Sequence, residues 1–301
     1  MKRVFVTGIS GFIGLHLCKV LLQQGIDFFG ISNNIANFPY PQKIKKVSIL
    51  NATELKEILM WYRPDTIIHL AAIASAVYED IALIYSVNVC GSENLLEAVK
   101  SACPEGTTVL LASTAGVYGN QQQSFYDEEL PFNPVNHYSC SKMVMELLSR
   151  NCYTDLNIKI VRPFNIIGIG QNPSFIVPKL VKAFANRQPE IYLGNIDAVR
   201  DYTDVKLCVN AIVAFLNAED IKHHTLNICT GKGHSVKDVF ENLVHITGFR
   251  PKVNISSSII RENDVWRLVG CNKRLIELIG KARPIPDLRT ILESMLINES
   301  E

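Results

Sequence analysis

The sequence predicts an α/β fold, with a doubly wound parallel sheet followed by a smaller C-terminal lobe. Three observations predict it. Apolar runs of strand length alternate with amphipathic helical patterns through the first half of the 301-residue chain, and this alternation is typical of βαβ units. A glycine-rich turn joins the first such run to the first helical pattern. After about residue 165 the alternation stops, and glycine and proline become irregularly spaced.

The elements of the predicted sheet follow from local patterns. Strands are predicted at the short apolar runs 4–7, 28–31, 66–70, 108–113 and 159–163. The first helix follows the spacing of Ile13, Leu17 and Leu21 and ends at Gly25, because glycine tolerates the left-handed conformation that closes a helix. Further helices are predicted over 51–61, 82–100 and 138–153. In the second half, the patterns predict a helix over 235–248 and a strand over 225–229 that returns to the sheet.

Composition and charge exclude several classes of protein. Apolar residues make up 48% of the chain, charged residues 20%, and the formal net charge is +1, so we expect no nucleic-acid partner and no anionic membrane partner. The eight cysteines form no CxxC pair and no Cys/His cluster, which predicts reduced thiols, no metal site and a cytoplasmic location. No apolar run approaches the roughly 18–20 residues of a membrane span, and the N-terminus does not resemble a signal peptide.

The glycine-rich turn predicts a dinucleotide site. Gly8, Gly11 and Gly14, with Phe12 and Ile13 among them, lie in the segment that joins the first strand to the first helix. A tight turn and a close backbone approach at this place let the helix N-terminus face a pyrophosphate. A glycine triplet elsewhere in a chain would indicate a plain turn, but its position here favours Rossmann-type cofactor binding.

The end of the second strand bears on the choice of dinucleotide. A carboxylate there would bind the adenosine ribose hydroxyls and favour NAD, but the strand ends through Ser32 and Asn33 without one. These side chains do not repel a 2′-phosphate and can hydrogen-bond it, so NADP(H) is favoured and NAD(H) stays open. The nearest cations, Lys43, Lys45 and Lys46, are interpreted as part of a solvated loop.

Tyr138 and Lys142 are the candidate catalytic pair. They lie four residues apart at the start of a predicted helix, so they share a face. An ordinary tyrosine has a pKa near 10, and a neighbouring cation lowers that pKa towards neutrality. Thr114 follows the strand predicted over 108–113, at the carboxyl ends of the strands, where α/β proteins bind ligands. It supplies a third polar group. Taken singly, the pair could be a surface feature and the threonine could cap a turn.

Further motifs resemble one family. They lie at 7–14, 69–72, Asn88, 113–119, 162–165, 168–171 and 200–205. With Tyr138 and Lys142, they are similar to the extended short-chain dehydrogenase/reductases that act on nucleotide sugars, over essentially the whole chain. Within that family the sequence most resembles the GDP-4-keto-6-deoxy-mannose reductases. The resemblance implies a dinucleotide-binding domain over 1–165 and a mainly nucleotide-sugar-binding lobe over 166–301. It also implies a homodimer formed through the two helices 82–100 and 138–153.

The resemblance assigns roles to individual residues. It implies that Thr114 hydrogen-bonds the substrate oxygen, that Tyr138 is the acid/base, and that Lys142 binds the nicotinamide ribose and lowers the Tyr138 pKa. The cofactor-binding set is Gly8, Gly11, Phe12, Ile13, Gly14, Ser32, Asn33, Asn51, Ala71, Ala72, Tyr138, Lys142, Pro163 and Asn165. The substrate-binding set is Ser75, Thr114, Asn165, Val177, Lys179, Arg200, Arg261 and Asp264. The two arginines would grip the pyrophosphate with their planar guanidinium groups, and Asn51 would contact adenine.

The segment 113–119, at the end of the fourth predicted strand, limits which reactions the enzyme can catalyse. Family members that eliminate water resemble Ser-Thr-Asp-Glu-Val-Tyr-Gly there, and the two carboxylates transfer the protons. This chain has Ala115 and Gly116 at those positions. The segment carries no cysteine, which argues against a 3,5-epimerase/reductase. A 4-ketoreductase, a 4-epimerase with tightly bound NAD and a dehydrogenase are left, and the resemblance favours the reductase. A non-catalytic dinucleotide- or nucleotide-sugar-binding protein is the alternative from another class.

Overall fold

The computed structural model describes residues 1–74, 78–218, 224–256, 265–280 and 284–299. Ser75, Arg261 and Asp264, which the sequence assigns to the substrate, lie outside these residues. Within the described ranges, no helix is long and apolar enough to cross a membrane. The same ranges contain no group of three or more His, Cys, Asp or Glu side chains that could hold a metal ion.

A parallel sheet lies at the centre of the fold. The strands are β1 (Arg3–Thr7), β2 (Asp27–Ser32), β3 (Ile44–Lys46), β4 (Thr66–His69), β5 (Thr108–Ala112), β6 (Asn157–Pro163), β7 (Asn165–Ile167), β8 (Glu190–Leu193), β9 (Val199–Arg200), β10 (Tyr202–Asp204), β11 (Thr225–Ile228), β12 (His234–Ser235), β13 (Lys252–Ile255) and β14 (Arg267–Leu268). Seven of them form one sheet in the order β11-β6-β5-β4-β1-β2-β3. All neighbouring pairs in it are parallel, which confirms the predicted doubly wound sheet.

Helices cover both faces of this sheet. They are α1 (Phe12–Gln23), α2 (Ala52–Tyr62), α3 (Ile81–Tyr85), α4 (Gly91–Ala102), α5 (His137–Cys152), α6 (Ile176–Ala185), α7 (Val205–Asn217), α8 (Val236–Thr247), α9 (Lys273–Ile279) and α10 (Leu288–Glu299). Val4 and Val6 of β1 pack on the side of α1, α7 and α9, whereas Phe5 packs on the side of α2 and α4. Because both faces are buried, β1 is apolar without interruption.

Side chains at the helix ends explain where several helices begin. Asn51 caps α2, since its Oδ1 accepts the Glu54 N–H at 3.2 Å and its Nδ2 donates to the Glu54 carboxylate at 3.1 Å. Its contact with adenine stays a prediction. Asn136 caps α5, and Ser235 and Asp238 form the reciprocal capping box that their spacing predicts for α8.

Two predicted elements differ from the structure. The segment with Lys45 and Lys46 is not a solvated loop but the edge strand β3, which its three-residue length makes hard to recognise by periodicity. The helix predicted over 82–100 runs from Ile81 to Ala102 but contains a π-helical segment, Ser86–Cys90, between α3 and α4. Such a segment adds a residue to the turn and is frequent at functional sites.

The second half of the chain is divided between the sheet and a separate core. β11 joins the sheet beside β6, and α7 and α9 pack against α1 on its face. Within the described residues, α6, α8 and α10 pack with β7, β8 and β10 around a second core that includes Leu180, Phe184, Leu243 and Leu292. The assignment of 1–165 and 166–301 to cofactor and substrate therefore stays a prediction.

A buried ion pair fixes α5 to the sheet. Glu146 of α5 and Arg162 of β6 are 0% and 1% exposed, and two guanidinium nitrogens donate to the carboxylate at 3.0 and 2.8 Å. Arg162 Nη1 also donates to the Tyr118 hydroxyl at 2.9 Å, and that hydroxyl donates to Asn227 of β11 at 2.7 Å. The buried Arg162 guanidinium is thus hydrogen-bonded through all three of its nitrogens, which a buried charge requires.

We expect Glu146→Leu to lower the free energy of unfolding by about 3–5 kcal/mol, because it leaves the Arg162 guanidinium buried without its counter-charge. The measurement is urea denaturation followed by circular dichroism. The matched control is Arg150→Ala, which removes a 43% exposed partner of the same carboxylate and should cost less than about 1 kcal/mol. Equal, small losses for both variants would contradict the proposed importance of the buried pair.

Candidate active site

The glycine loop after β1 is packed too closely for side chains. An ideal Cβ on Gly8, whose φ is +69°, would lie 2.7 Å from the Ala71 nitrogen, and one on Gly14 would lie 2.4 Å from the Ile9 oxygen. Gly11 is the N-cap of α1 and offers no side chain to cap it. The first N–H groups of α1 therefore lie, without a side-chain cap, at the positive end of the helix dipole. This arrangement fits a dinucleotide pyrophosphate.

His69 joins three elements beneath this loop. Its Nδ1 lies 2.7 Å from Thr7 Oγ1 on β1, and its Nε2 lies 2.8 Å from Ser92 Oγ on α4. Burial lowers the pKa of the imidazole to about 3, so the ring is neutral and acts as a structural link. Thr7 Oγ1 also accepts the Ala71 N–H at 3.2 Å, which fixes the backbone at the predicted cofactor contacts Ala71 and Ala72.

Ser10 ties the end of β2 to the glycine loop. Its Oγ lies 2.8 Å from Ser32 Oγ and 2.6 Å from the Asn34 carbonyl oxygen. Asn33, which lies between Ser32 and Asn34 in the chain, is exposed. The strand end that would hold the adenosine ribose is thus lined by hydroxyl and amide groups, as the sequence indicates, and it is held beside the loop that faces the pyrophosphate.

The three predicted catalytic side chains meet beyond the end of β5. The Tyr138 phenol lies close enough to the Thr114 side chain for that side chain to lower its pKa by hydrogen bonding. Thr114 Oγ1 accepts the Gly116 N–H at 3.1 Å, which leaves its own hydroxyl hydrogen available to an acceptor. Lys142 lies one turn further along α5, and its Nζ donates to the Ala112 carbonyl oxygen at 2.8 Å.

Burial sets the protonation of the tyrosine and the lysine. It raises the pKa of Tyr138 to about 12, against the opposing Thr114 hydrogen bond, because a phenolate is poorly solvated there. It lowers the pKa of Lys142 to about 8, opposed by the Glu146 carboxylate. We expected Lys142 to lower the pKa of Tyr138, but this pKa is raised instead. The cause is that desolvation dominates, while the ammonium is engaged with the Ala112 carbonyl.

Asn88, in the π-helical segment, holds the start of α5 against the neighbouring loop. Its Nδ2 donates to Ser141 Oγ at 3.0 Å and to the Ile73 carbonyl at 3.1 Å, and its Oδ1 accepts the Ile73 N–H at 2.8 Å. Ser141 lies between Tyr138 and Lys142 in sequence and is fully buried. Asn88 and Ser141 therefore position the turn of α5 that carries the reactive pair. The sequence indicates Asn88 only through the family resemblance, and no local pattern marks Ser141.

Ser139 occupies the space beside Gly116. An ideal Cβ on Gly116 would lie 2.3 Å from Ser139 Oγ, 3.3 Å from Ser139 Cβ and 3.4 Å from Thr114 Oγ1. Any side chain at position 116, including the carboxylate of a dehydratase, therefore requires Ser139 to move. The missing carboxylate is visible in the sequence but the adjacent Ser139 hydroxyl is not, because only the fold brings the start of α5 to the end of β5.

The predicted substrate residues Val177, Lys179 and Arg200 lie in the second half of the chain. Arg200 is in β9, and the carbonyl of the next residue, Asp201, accepts the Asn165 N–H at 3.0 Å, so Arg200 and Asn165 are neighbours. Lys179 of α6 donates to the Tyr192 carbonyl at 3.0 Å. Val177 is 2% exposed within the second core, so a substrate contact there would come from its backbone.

Asp201 is a further positioning residue that sequence analysis did not single out. Its buried carboxylate accepts the N–H groups of Thr230 and Gly231 at 2.8 and 2.9 Å and the Thr230 hydroxyl at 2.7 Å. Burial raises the pKa of this carboxyl, and these hydrogen bonds oppose the rise. Asp201 thus joins the strand that carries Arg200 to the loop after β11. A carboxylate adjacent to a candidate phosphate-binding arginine was the available signal.

The fold has a glycine loop after β1, and Thr114 after β5 lies beside Tyr138 and Lys142 of α5. These features define an NAD(P)-dependent enzyme of the extended short-chain dehydrogenase/reductase type. The family model described as GDP-mannose 4,6 dehydratase matches residues 5–280. The chain belongs to that family.

Known relatives extend over nearly the whole chain. GDP-6-deoxy-D-talose 4-dehydrogenase of Aggregatibacter actinomycetemcomitans is 34% identical, over 98% of this chain and 97% of that protein. GDP-6-deoxy-D-mannose reductase of Pseudomonas aeruginosa is 28% identical, over 93% and 91%. Among solved structures, RMD from Pseudomonas aeruginosa in complex with NADPH superposes with a TM-score of 0.83, at 28% identity, and covers 100% of this chain and 99% of that one.

We expect Gly116→Ala to destabilise the protein by about 1–3 kcal/mol, because the new methyl group overlaps Ser139 Oγ. In a Ser139→Ala background the same substitution should cost measurably less, since the hydroxyl that it meets is gone. A double-mutant cycle based on urea denaturation gives the coupling. Additive losses, with no coupling between the two positions, would show that Ser139 does not restrict position 116.

Proposed function

We propose that this enzyme is a nucleotide-sugar 4-ketoreductase, which transfers a hydride from NAD(P)H to C4 of a 4-keto-6-deoxy sugar. The observation that carries the proposal is the set of Thr114, Tyr138 and Lys142 beside Ala115 and Gly116. The set provides a proton donor and a hydroxyl for the carbonyl, while the two positions at which a dehydratase needs carboxylates have none. The available chemistry is therefore hydride and proton transfer at one carbonyl.

Tyr138 is the proton donor in this proposal. A pKa of about 12 keeps its phenol protonated at neutral pH, which is the state that ketone reduction requires. The reductase is favoured over the epimerase because the two relatives, by their names, oxidise or reduce GDP-6-deoxy sugars.

The other two side chains orient the reacting groups. When bound, the reduced nicotinamide supplies the hydride. Thr114, oriented by the Gly116 N–H, hydrogen-bonds the C4 oxygen and stabilises the negative charge that develops there. Lys142 holds the nicotinamide ribose in this proposal, and the Ala112 carbonyl oxygen keeps its ammonium at the end of β5.

GDP-linked 4-keto-6-deoxy-mannose is the substrate we propose, because the two relatives act, by their names, on GDP-6-deoxy sugars. Arg200 suits a diphosphate, since a guanidinium presents paired donors to phosphate oxygens. Asn165 lies beside it, and Lys179 and the backbone of Val177 are the further proposed contacts. Ser75, Arg261 and Asp264 complete the proposed set from outside the described residues.

We infer that NADP(H) is preferred and that NAD(H) is the weaker alternative. The end of β2 carries Ser32 and no carboxylate that would repel a 2′-phosphate. The Pseudomonas aeruginosa structure of this fold contains NADPH. The proposed cofactor contacts also include Pro163, the last residue of β6.

A cytoplasmic homodimer is the proposed form of the enzyme. All eight cysteines are free, which suits a reducing compartment. Ile81 of α3 and Leu147 of α5 are 44% and 39% exposed, and these apolar side chains lie on the helices through which we expect two copies to associate.

We expect the protein to oxidise NADPH when GDP-4-keto-6-deoxy-mannose is supplied, and to leave NADPH unchanged when UDP-glucose or UDP-galactose is supplied. Loss of absorbance at 340 nm measures the first reaction, and NMR of the product gives its C4 configuration, which distinguishes 6-deoxy-mannose from 6-deoxy-talose. Interconversion of the UDP-hexoses without net use of the cofactor, together with inactivity on the keto sugar, would assign the enzyme as an epimerase.

Tyr138→Phe is the internal control of that experiment. It removes the proton donor and should slow NADPH oxidation by about 10²–10⁴-fold while cofactor binding is retained. Tyr153→Phe, just beyond the other end of α5, is the matched substitution and should keep the rate. A Tyr138→Phe variant as fast as the wild type, or activity in neither protein, would count against the enzyme mechanism proposed above.

We expect the rate of ketone reduction to fall as the pH rises through about 8. Burial lowers the pKa of Lys142 to about 8, so its ammonium loses the proton there, whereas Tyr138, with a pKa of about 12, stays protonated. The measurement is kcat/KM for the keto sugar between pH 6 and 9.5 at fixed ionic strength. A profile that stays flat across this range would contradict a role for the Lys142 charge.

A further inference from the structure

The edge strand β3 places a lysine beside the ribose end of the cofactor site. β3 pairs with β2 in parallel, with Gly30 opposite Ile44 and Ser32 opposite Lys46. Neighbouring strands lie about 4.8 Å apart. Lys46 is therefore one strand spacing from Ser32, at the carboxyl end of the sheet where α/β folds bind ligands.

The two side chains share a face of the sheet, the one on which the glycine loop lies. Ile44 is buried in the same cluster as Ile9 of that loop, and an ideal Cβ on Gly30 would lie 2.8 Å from the Ile9 side chain. Since side chains alternate along a strand, Ser32 and Lys46 follow on this face. The 2.8 Å contact between Ser32 Oγ and Ser10 Oγ of the loop agrees with the assignment.

The other two lysines of this segment are already engaged. Lys43 Nζ lies 2.6 Å from an Asp27 carboxylate oxygen, near the start of β2 and away from the ribose end. Lys45 Nζ lies 2.8 Å from a Glu54 carboxylate oxygen, on the α2 side of the sheet. Among the described residues, no carboxylate forms an ion pair with Lys46.

We infer that Lys46 supplies the cation that holds the 2′-phosphate of NADP(H), reaching it from the neighbouring strand instead of from the loop after β2. The inference rests on the cofactor preference proposed above and names the residue that would produce it. A 2′-phosphate carries between one and two negative charges at neutral pH. Ser32 and Asn33 can donate hydrogen bonds to it, but neither is charged, so Lys46 provides the missing charge.

The test measures binding of two cofactor fragments that differ by this phosphate. By isothermal titration calorimetry, we expect the wild type to bind adenosine 2′,5′-bisphosphate more tightly than 5′-AMP. Lys46→Ala should weaken binding of the bisphosphate about tenfold, which corresponds to the loss of one charge-assisted hydrogen bond. It should leave the affinity for 5′-AMP unchanged. Lys46→Arg should retain most of the preference. The matched control is Lys45→Ala, which removes the adjacent lysine on the opposite face and should change neither affinity.

Two results would overturn the inference. One is a Lys46→Ala variant that binds adenosine 2′,5′-bisphosphate as Lys45→Ala does, and the other is an equal loss for 5′-AMP, which would place Lys46 in general nucleotide binding. A wild type that does not distinguish the two fragments would instead refute the NADP(H) preference itself. The experiment needs no sugar substrate, so its result can be interpreted even if the ketoreductase assay fails.

Discussion

The buried ion pair between Glu146 and Arg162 fixes the position of α5, and the reactive chemistry depends on that helix. Tyr138 and Lys142 are carried by its first turns, while the pair lies on the next turn, against β6. A charged pair without exposure tolerates little displacement, because a lost contact leaves an uncompensated charge in the interior. Through the Tyr118 hydroxyl the same pair reaches the edge strand β11, so the helix is held against two strands at once.

Burial also determines the protonation states around the site. It lowers the pKa values of His69 and Lys142 and raises that of Tyr138, since each group is easier to bury in its neutral form. A neutral imidazole is suited to linking strands, and a protonated phenol is suited to donating a proton to a ketone. The same desolvation that accompanies folding therefore sets the charge states of the site.

Much of the fold could be predicted from the chain, because a buried parallel sheet requires long apolar runs and its helices require a 3.6-residue pattern. The strands of the first half and the caps at Asn51 and Ser235 followed these rules. β3 could not be predicted in this way, because three residues are too few to show a strand periodicity. The places of α7 and α9 on the α1 face also could not be predicted, because a helical pattern indicates an apolar stripe but not which surface the stripe covers.

The sequence by itself determined the glycine loop, the Tyr138 and Lys142 pair and the absence of carboxylates at Ala115 and Gly116, because each depends on residue type and local spacing. Only the tertiary structure decided what surrounds them: the Ser139 hydroxyl against Gly116, and the register of Lys46 with Ser32. These relations join residues distant in the chain, and their geometry follows from packing and strand register, neither of which local sequence encodes. It is also packing, through desolvation, that reverses the direction expected for the Tyr138 pKa.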